Sequence, residues 1–181
     1  MNKEVTLQRN CIATLIPSGD EVTLEGGASF AIAQSLGGSV TLRDSNGLYR
    51  IGEGELDALG ADVMQEVLKS EETDKNTGPF SEDLVWDALK GCYDPEIPVN
   101  IVDLGLVYDL RVDEEDGKRN VFVKMTLTAQ GCGMGPVIAD DAKTRIANLD
   151  AVSEASVEIV WDPPWNPQMI SENGKKVLGL E

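Results

Sequence analysis

Short runs in which apolar and polar residues alternate crowd the first fifty positions of the chain. They predict strands at Val5–Leu7, Ile12–Ile16, Val22–Leu24, Phe30–Ala33, Val40–Leu42 and Leu48–Ile51. Pro17-Ser-Gly-Asp20, Glu25-Gly-Gly27, Gly37-Gly38 and Asn46-Gly47 supply turns between them, so this part reads as a small antiparallel sheet or barrel. Leu56–Leu59 fits a single helical turn closed by Gly60. The stretch Ser70-Glu-Glu-Thr-Asp-Lys-Asn-Thr-Gly-Pro79 is polar and rich in turn formers. The pattern therefore divides the chain into a β-rich domain over 1–68, an exposed linker over 69–80 and a second domain over 81–181.

The second domain changes period. In Ser81-Glu-Asp-Leu-Val-Trp-Asp-Ala-Leu-Lys90, Ser81 is a candidate N-cap, acidic residues fill the first turn, and Leu84, Ala88 and Leu89 share one face of an amphipathic helix. Asp94-Pro and Ile97-Pro disfavour helix at the residue before each proline, which predicts an extended loop. Leu106–Val112 reads as a strand, Asp113–Gly117 as a turn, and Val121, Val123, Met125 and Leu127 alternate along a second strand. A helix over Pro136–Asn148 and a strand over Ala155–Trp161 complete a strand, helix, strand unit with a parallel crossover. The fold class is α+β, with the small antiparallel domain first and a sandwich-like mixed domain second.

Composition narrows the function. No apolar run reaches membrane-spanning length and the amino-terminal residues carry no signal-like hydrophobic stretch, so a cytoplasmic protein with no membrane partner is expected. With 15 basic and 32 acidic residues the net charge is −17, which repels phosphate backbones and argues against a nucleic-acid partner. The chain has 0 histidines, so Ser-His-Asp and Cys-His catalysis and imidazole metal ligation are closed to it. Carboxylates, lysines and three unpaired-looking thiols, Cys11, Cys92 and Cys132, carry any chemistry. Their odd number and the lack of a Cys-x-x-Cys pair fit a reducing compartment.

Of these, Cys132 stands apart. It sits in Thr126-Leu-Thr-Ala-Gln-Gly-Cys-Gly-Met-Gly-Pro136, between a predicted strand and a predicted helix, with Gly131, Gly133 and Gly135 around it. Glycines open space for a partner atom, and Pro136 suits the first turn of the helix. A cysteine just upstream of a helix amino end is presented in a setting that favours the thiolate, the form that attacks electrophiles and ligates metals. The competing reading is a glycine-rich crossover turn in which the thiol is a small hydrophobe.

Two further motifs stand out. Asp94-Pro-Glu-Ile-Pro-Val-Asn-Ile-Val-Asp103 brings Asp94, Glu96 and Asp103 into one loop, where carboxylates either serve acid/base or cation chemistry or cap backbone N–H groups in turns; the second use is expected here. Trp161-Asp-Pro-Pro-Trp165 is a rigid extended turn whose tryptophans cover the core or line a pocket.

Asp94–Tyr108, Met125-Thr-Leu-Thr128, Gly131-Cys-Gly-Met-Gly-Pro136 and Trp161–Trp165, in that order, closely resemble the small domain family of iron-sulfur cluster assembly factors that includes the eukaryotic cytosolic targeting factor and phenylacetate-pathway assembly proteins. The resemblance covers about residues 80–181. Ile16-Pro-Ser-Gly19 and Gln34-Ser-Leu-Gly-Gly38 look like the bacterial SufT group and extend it over most of the chain.

The resemblance implies a non-enzymatic role in maturing iron-sulfur proteins, with Cys132 as the functional, cluster-ligating residue. Asp94 and Glu96 match the family's acidic pair, and Thr126 and Thr128 its threonines. Gly131 and Gly133 flank the thiol, Gly133 standing where many relatives carry proline, which implies a more mobile loop. One thiol cannot complete the usual four-ligand shell of a cluster. The implied cargo is therefore a transient iron-sulfur cluster shared across a homodimer or with a partner, the partners being iron-sulfur assembly proteins and apo client proteins. An adaptor that recruits clients without holding a cluster is the first rival. A thiol-dependent enzyme is the second, weakened by the missing base and resolving cysteine.

Overall fold

Alternating residues in the first part of the chain fold as pleated strands, most with one buried and one wetter face, while Val40, Thr41 and Leu42 are buried in succession. The computed structural model describes residues 3–72 and 79–180. The chain divides into two compact units, the first ending at Lys75 and the second beginning at Asn76. In the first, β1 (Glu4–Thr6), β2 (Cys11–Ile16), β3 (Glu21–Leu24), β4 (Ser29–Leu36), β5 (Ser39–Arg43) and β6 (Leu48–Ile51) form one six-stranded sheet ordered β1-β4-β5-β6-β2-β3. Every neighbouring pair is antiparallel. The β4–β5 hairpin turns on Gly37 and Gly38, whose φ values of 59° and 66° belong to the tight two-residue turn that matches strand twist.

Val40, Leu42 and Ile51 are fully buried, and Phe30 meets Tyr49 edge to face at 5.8 Å. A 3₁₀ turn over Glu53–Leu59 ends at Gly60, as the sequence predicts. It is anchored by Arg9, whose guanidinium donates to Asp57 at 2.8 and 2.6 Å and to Glu55 at 2.8 Å. The following helix α1 (Ala61–Glu72) was not expected; it closes the core with Val63 and Val67, an i, i+4 pair beside which Met64 also packs. Lys69–Glu72, at the start of the expected linker, are helical. Thr73–Gly78, also assigned to the linker, lie outside the described residues. Its last residue, Phe80, packs beneath the Arg119 guanidinium, 4.7 Å from the ring centroid.

In the second unit α2 (Glu82–Lys90) leads through a long connection to β7 (Val107–Glu115), which pairs antiparallel with β8 (Lys118–Met125). The turn between them is Asp116-Gly117, with φ of 52° and 74°; both strands run farther than their apolar alternation shows. Helix α3 (Gly135–Ala147) crosses over to β9 (Glu154–Ile159), which lies parallel to β8, giving the sheet order β7-β8-β9. Val121, Val123 and Met125 of β8 are buried, as are Val85 and Leu89 of α2 and Ala142 and Ile146 of α3. Phe122 and Lys124 alternate onto the opposite, exposed face, where Arg111 covers the Phe122 ring at 4.8 Å.

After β9 comes a strap of irregular chain, a short 3₁₀ turn at Pro167–Met169 and α4 (Glu172–Leu178). The α4 helix is capped by Ser171, whose hydroxyl accepts from Gly174 N–H at 3.0 Å, and it ends at left-handed Gly179. Among the described residues no helix is long and apolar enough to cross a membrane.

Candidate functional site

Two connections of the second unit carry the site residues expected from the sequence. The first, between β8 and α3, presents Cys132. It leaves the sheet at Thr126, whose N–H donates to Leu106 carbonyl at 2.7 Å. Leu127 turns inward and Gly135 packs so closely against it that an added Cβ would lie 2.6 Å from Leu127 Cδ1. Gly131 has φ 78°, a left-handed conformation that favours glycine. Gly135 N–H donates to the Cys132 carbonyl at 3.2 Å, closing a turn onto Met134, which is 1% exposed and serves as the N-cap of α3.

Cys132 and Gly133 are half-buried and Gly131 is exposed. The other two thiols are sealed, Cys11 at 2% and Cys92 at 0% exposure, and burial pushes the Cys11 thiol above its ordinary range. Solvent access therefore singles out Cys132. Thr128 is half-buried, while Thr126 is fully buried, with a hydroxyl that has no hydrogen-bond partner among the described residues.

The second connection, between α2 and β7, carries the acidic residues, and each has its own local task. Asp94 is 8% exposed and accepts from the N–H groups of Glu96 at 2.9 Å and Ile97 at 3.1 Å, a turn-capping role. Burial pushes its carboxyl up, and those two hydrogen bonds pull only part of the way back. Glu96 is exposed.

Asp103 is the hub of the connection. Its carboxylate accepts from Ser171 Oγ at 2.6 Å, Asn100 Nδ2 at 2.7 Å and Asn173 Nδ2 at 3.0 Å. Burial alone raises its carboxyl, but these donors and the nearby Lys90 ammonium outweigh it and hold the group below the ordinary range. Among the described residues no three His, Cys, Asp or Glu side chains gather as a metal site. The two connections are joined through backbone: Ile101 N–H donates to Cys92 carbonyl, Leu106 N–H to Ile101 carbonyl, and Thr126 N–H to Leu106 carbonyl.

The tryptophan motif divides its labour. Trp165 is half-buried and its indole N–H donates to Leu104 carbonyl at 2.7 Å, whereas Trp161 is 39% exposed. A cleft of about 620 Å³ opens beside this segment, among Tyr108, Lys124, Val160, Asp162, Pro163 and Met169. Cys132 is not part of its wall, so the cleft and the accessible thiol lie in different places. Sequence reasoning missed Ser171 and Asn173, although the Ser171-x-x-Gly174 cap pattern was there to be read.

The model for the family described as iron-sulfur cluster assembly protein matches residues 82–159, within this second unit. The Fe-S protein maturation auxiliary factor YitW of Bacillus subtilis is 43% identical over 97 residues, which is 54% of this chain and 92% of the relative. The chain belongs to this family. The Fe-S protein maturation auxiliary factor SufT of Staphylococcus aureus is 46% identical, over 48% of this chain and 96% of its own length. A crystal structure of a domain of unknown function from Bacillus anthracis superposes with a TM-score of 0.50 at 39% identity, covering 55% of this chain and 92% of that one. The region matched to the iron-sulfur cluster assembly family contains Asp94, Glu96, Thr126, Thr128, Gly131, Cys132 and Gly133.

Proposed function

We propose that this protein is a non-enzymatic iron-sulfur maturation factor that works in the cytoplasm and helps pass a cluster to apo-proteins through Cys132. The observation that carries this reading is the contrast among the thiols: Cys132 alone has solvent access, in a glycine-flanked turn, while Cys11 and Cys92 are sealed. The names of the relatives support the same class, since they are called Fe-S protein maturation auxiliary factors.

The cluster is cargo. An iron-sulfur cluster takes about four protein ligands, and Cys132 supplies one. The remaining positions fall to a second copy of the chain, to a client or assembly protein, or to small thiols. Such an incompletely held, accessible cluster is labile, which suits transfer. Asp94, Glu96, Thr126 and Thr128 support the loops around the thiol, and Gly131 and Gly133 keep it open to a partner.

Anaerobic reconstitution followed by ultraviolet-visible spectroscopy tests this. Wild type is expected to gain the sulfur-to-iron charge-transfer absorption, and Cys132→Ser to lose it. Equal absorption in both proteins, or none in either with clients present, overturns cluster handling and leaves recruitment of clients as the function.

A further inference from the structure

The strip from Asp103 to Tyr108 is stitched to the carboxyl-terminal strap, residues 163–174, at Asp103, Leu104, Gly105 and Tyr108. Asp103 binds Ser171 twice, taking the hydroxyl at its carboxylate and the Ser171 N–H at its own carbonyl at 2.8 Å. Its carboxylate also takes Asn173, and Gly174 presses so closely that an added Cβ would lie 2.9 Å from the Asp103 carbonyl oxygen. Leu104 carbonyl accepts from Trp165, and Tyr108 hydroxyl donates to Pro163 carbonyl at 2.7 Å. Between them Gly105 lies against Met169 carbonyl, 2.3 Å from where a Cβ would stand.

The strip is internally closed as well. Leu104, Gly105 and Leu106 donate back to Asn100, Val102 and Ile101, and Asn100 exchanges hydrogen bonds with both Asp103 N–H and the Asp103 carboxylate. This strip supplies the carbonyl of Leu106 that receives Thr126 N–H, where the Cys132 connection leaves the sheet.

We propose that Asp103 is a positioning residue for Cys132: by gathering Asn100, Ser171 and Asn173 it clamps the strap onto the strip, and through Leu106 the clamp fixes the root of the thiol loop. The second acidic motif thus acts on the site without touching cargo. The strap reaches the strip through the Asp103 carboxylate together with Trp165, Tyr108 and Gly105, and the strip reaches the loop through one backbone hydrogen bond. The importance of this positioning rests on Cys132 being the working group, so the test reads the thiol itself and needs no cluster.

Full-length protein is alkylated with iodoacetamide under native conditions and the modified cysteine located by peptide mass spectrometry, for wild type, Asp103→Ala and Ser171→Ala. Cys92, 0% exposed in the same unit, reports any opening of the whole unit. The rate at Cys132 is expected to rise on the order of fivefold in Asp103→Ala and about twofold in Ser171→Ala, with Cys92 still protected. Trp165 emission is expected to shift to the red in both variants as its N–H loses Leu104, a shift absent when Trp165→Phe is added. An unchanged rate at Cys132 in both variants overturns the proposal. An equal rise at Cys92 and Cys132 also overturns it, because Asp103 then only holds the unit together. Should Asp103→Ala fail to fold, Ser171→Ala decides by the same criteria. Failure of cluster reconstitution leaves this result untouched.

Discussion

The two connections that meet at the Leu106 to Thr126 hydrogen bond are built on opposite plans. The Asp94–Leu106 connection is saturated: Asp94 caps its first turn, Asp103 collects three side-chain donors, and its last residues are locked by backbone bonds and by the strap. The Thr126–Met134 connection has fewer hydrogen bonds among the described residues: one at its root, where Thr126 N–H meets Leu106, and two at its α3 end, where Gly135 donates to Cys132 and Ile138 to Met134. A loop that must keep its shape is thus set against one that must let a partner approach its thiol. Asp94 and Asp103 serve the rigid loop, as acceptors of hydrogen bonds.

The comparison breaks most sharply at Gly105. Its φ of 74° and the Met169 carbonyl leave no room for a side chain, so Gly105→Ala is expected to destabilise the second unit by about 2–4 kcal/mol in thermal or urea unfolding. A change below about 0.5 kcal/mol would show that the strap is not seated on the strip.

Next in size is the acid response of Asp103. Its folded-state carboxyl lies below the ordinary range. The stability it contributes is therefore present above the unfolded value of about 3.9 and fades as pH falls through the folded value. Unfolding measured from neutral pH downward should show Asp103→Asn less stable than wild type by about 1–2 kcal/mol, a modest figure because the carboxylate is only half-buried, with the gap closing below about pH 4.

Asp94 runs the other way. Burial raises its carboxyl, so ionising it weakens the fold as pH rises through the folded value. Asp94→Asn keeps an acceptor for Glu96 and Ile97 and is expected to lie within about 1 kcal/mol of wild type, gaining relative to it as pH increases above about 4. The opposite trend in a pH series of melting curves would contradict a carboxyl raised by burial and show its two N–H donors outweighing it.

Much of this was legible in the sequence, and what was not has physical causes. The six strands of the first unit show because a one-sided sheet must alternate. Helix α1 did not: Asp62, Gln65, Glu66 and Lys69 resemble linker composition, and its apolar stripe is short, with Val63 and Val67 buried and Met64 packed beside them. The β7–β8 hairpin reaches Asp116-Gly117 because ladder pairs such as Glu114 with Arg119 and Glu115 with Lys118 continue past the core, where both faces are wet and alternation vanishes. Presentation of Cys132 was readable, because glycines and a helix start are local features. The Asp103 hub was not, since Ser171 and Asn173 lie 68 and 70 residues away.

The smallest stability effect and the largest functional one are expected at the same residue. Cys132 is half-buried in the loosely held loop, so Cys132→Ser leaves no large cavity and should cost on the order of 1 kcal/mol or less. A hydroxyl is a poor ligand for iron, so the chemistry is lost. The decisive measurement is the activity of an iron-sulfur client enzyme in cells lacking the native gene, complemented at matched protein level by wild type, Asp94→Asn or Cys132→Ser. Wild type is expected to restore activity, Asp94→Asn to restore part of it and Cys132→Ser to restore none while melting close to wild type. Full rescue by Cys132→Ser would contradict the role assigned to the thiol.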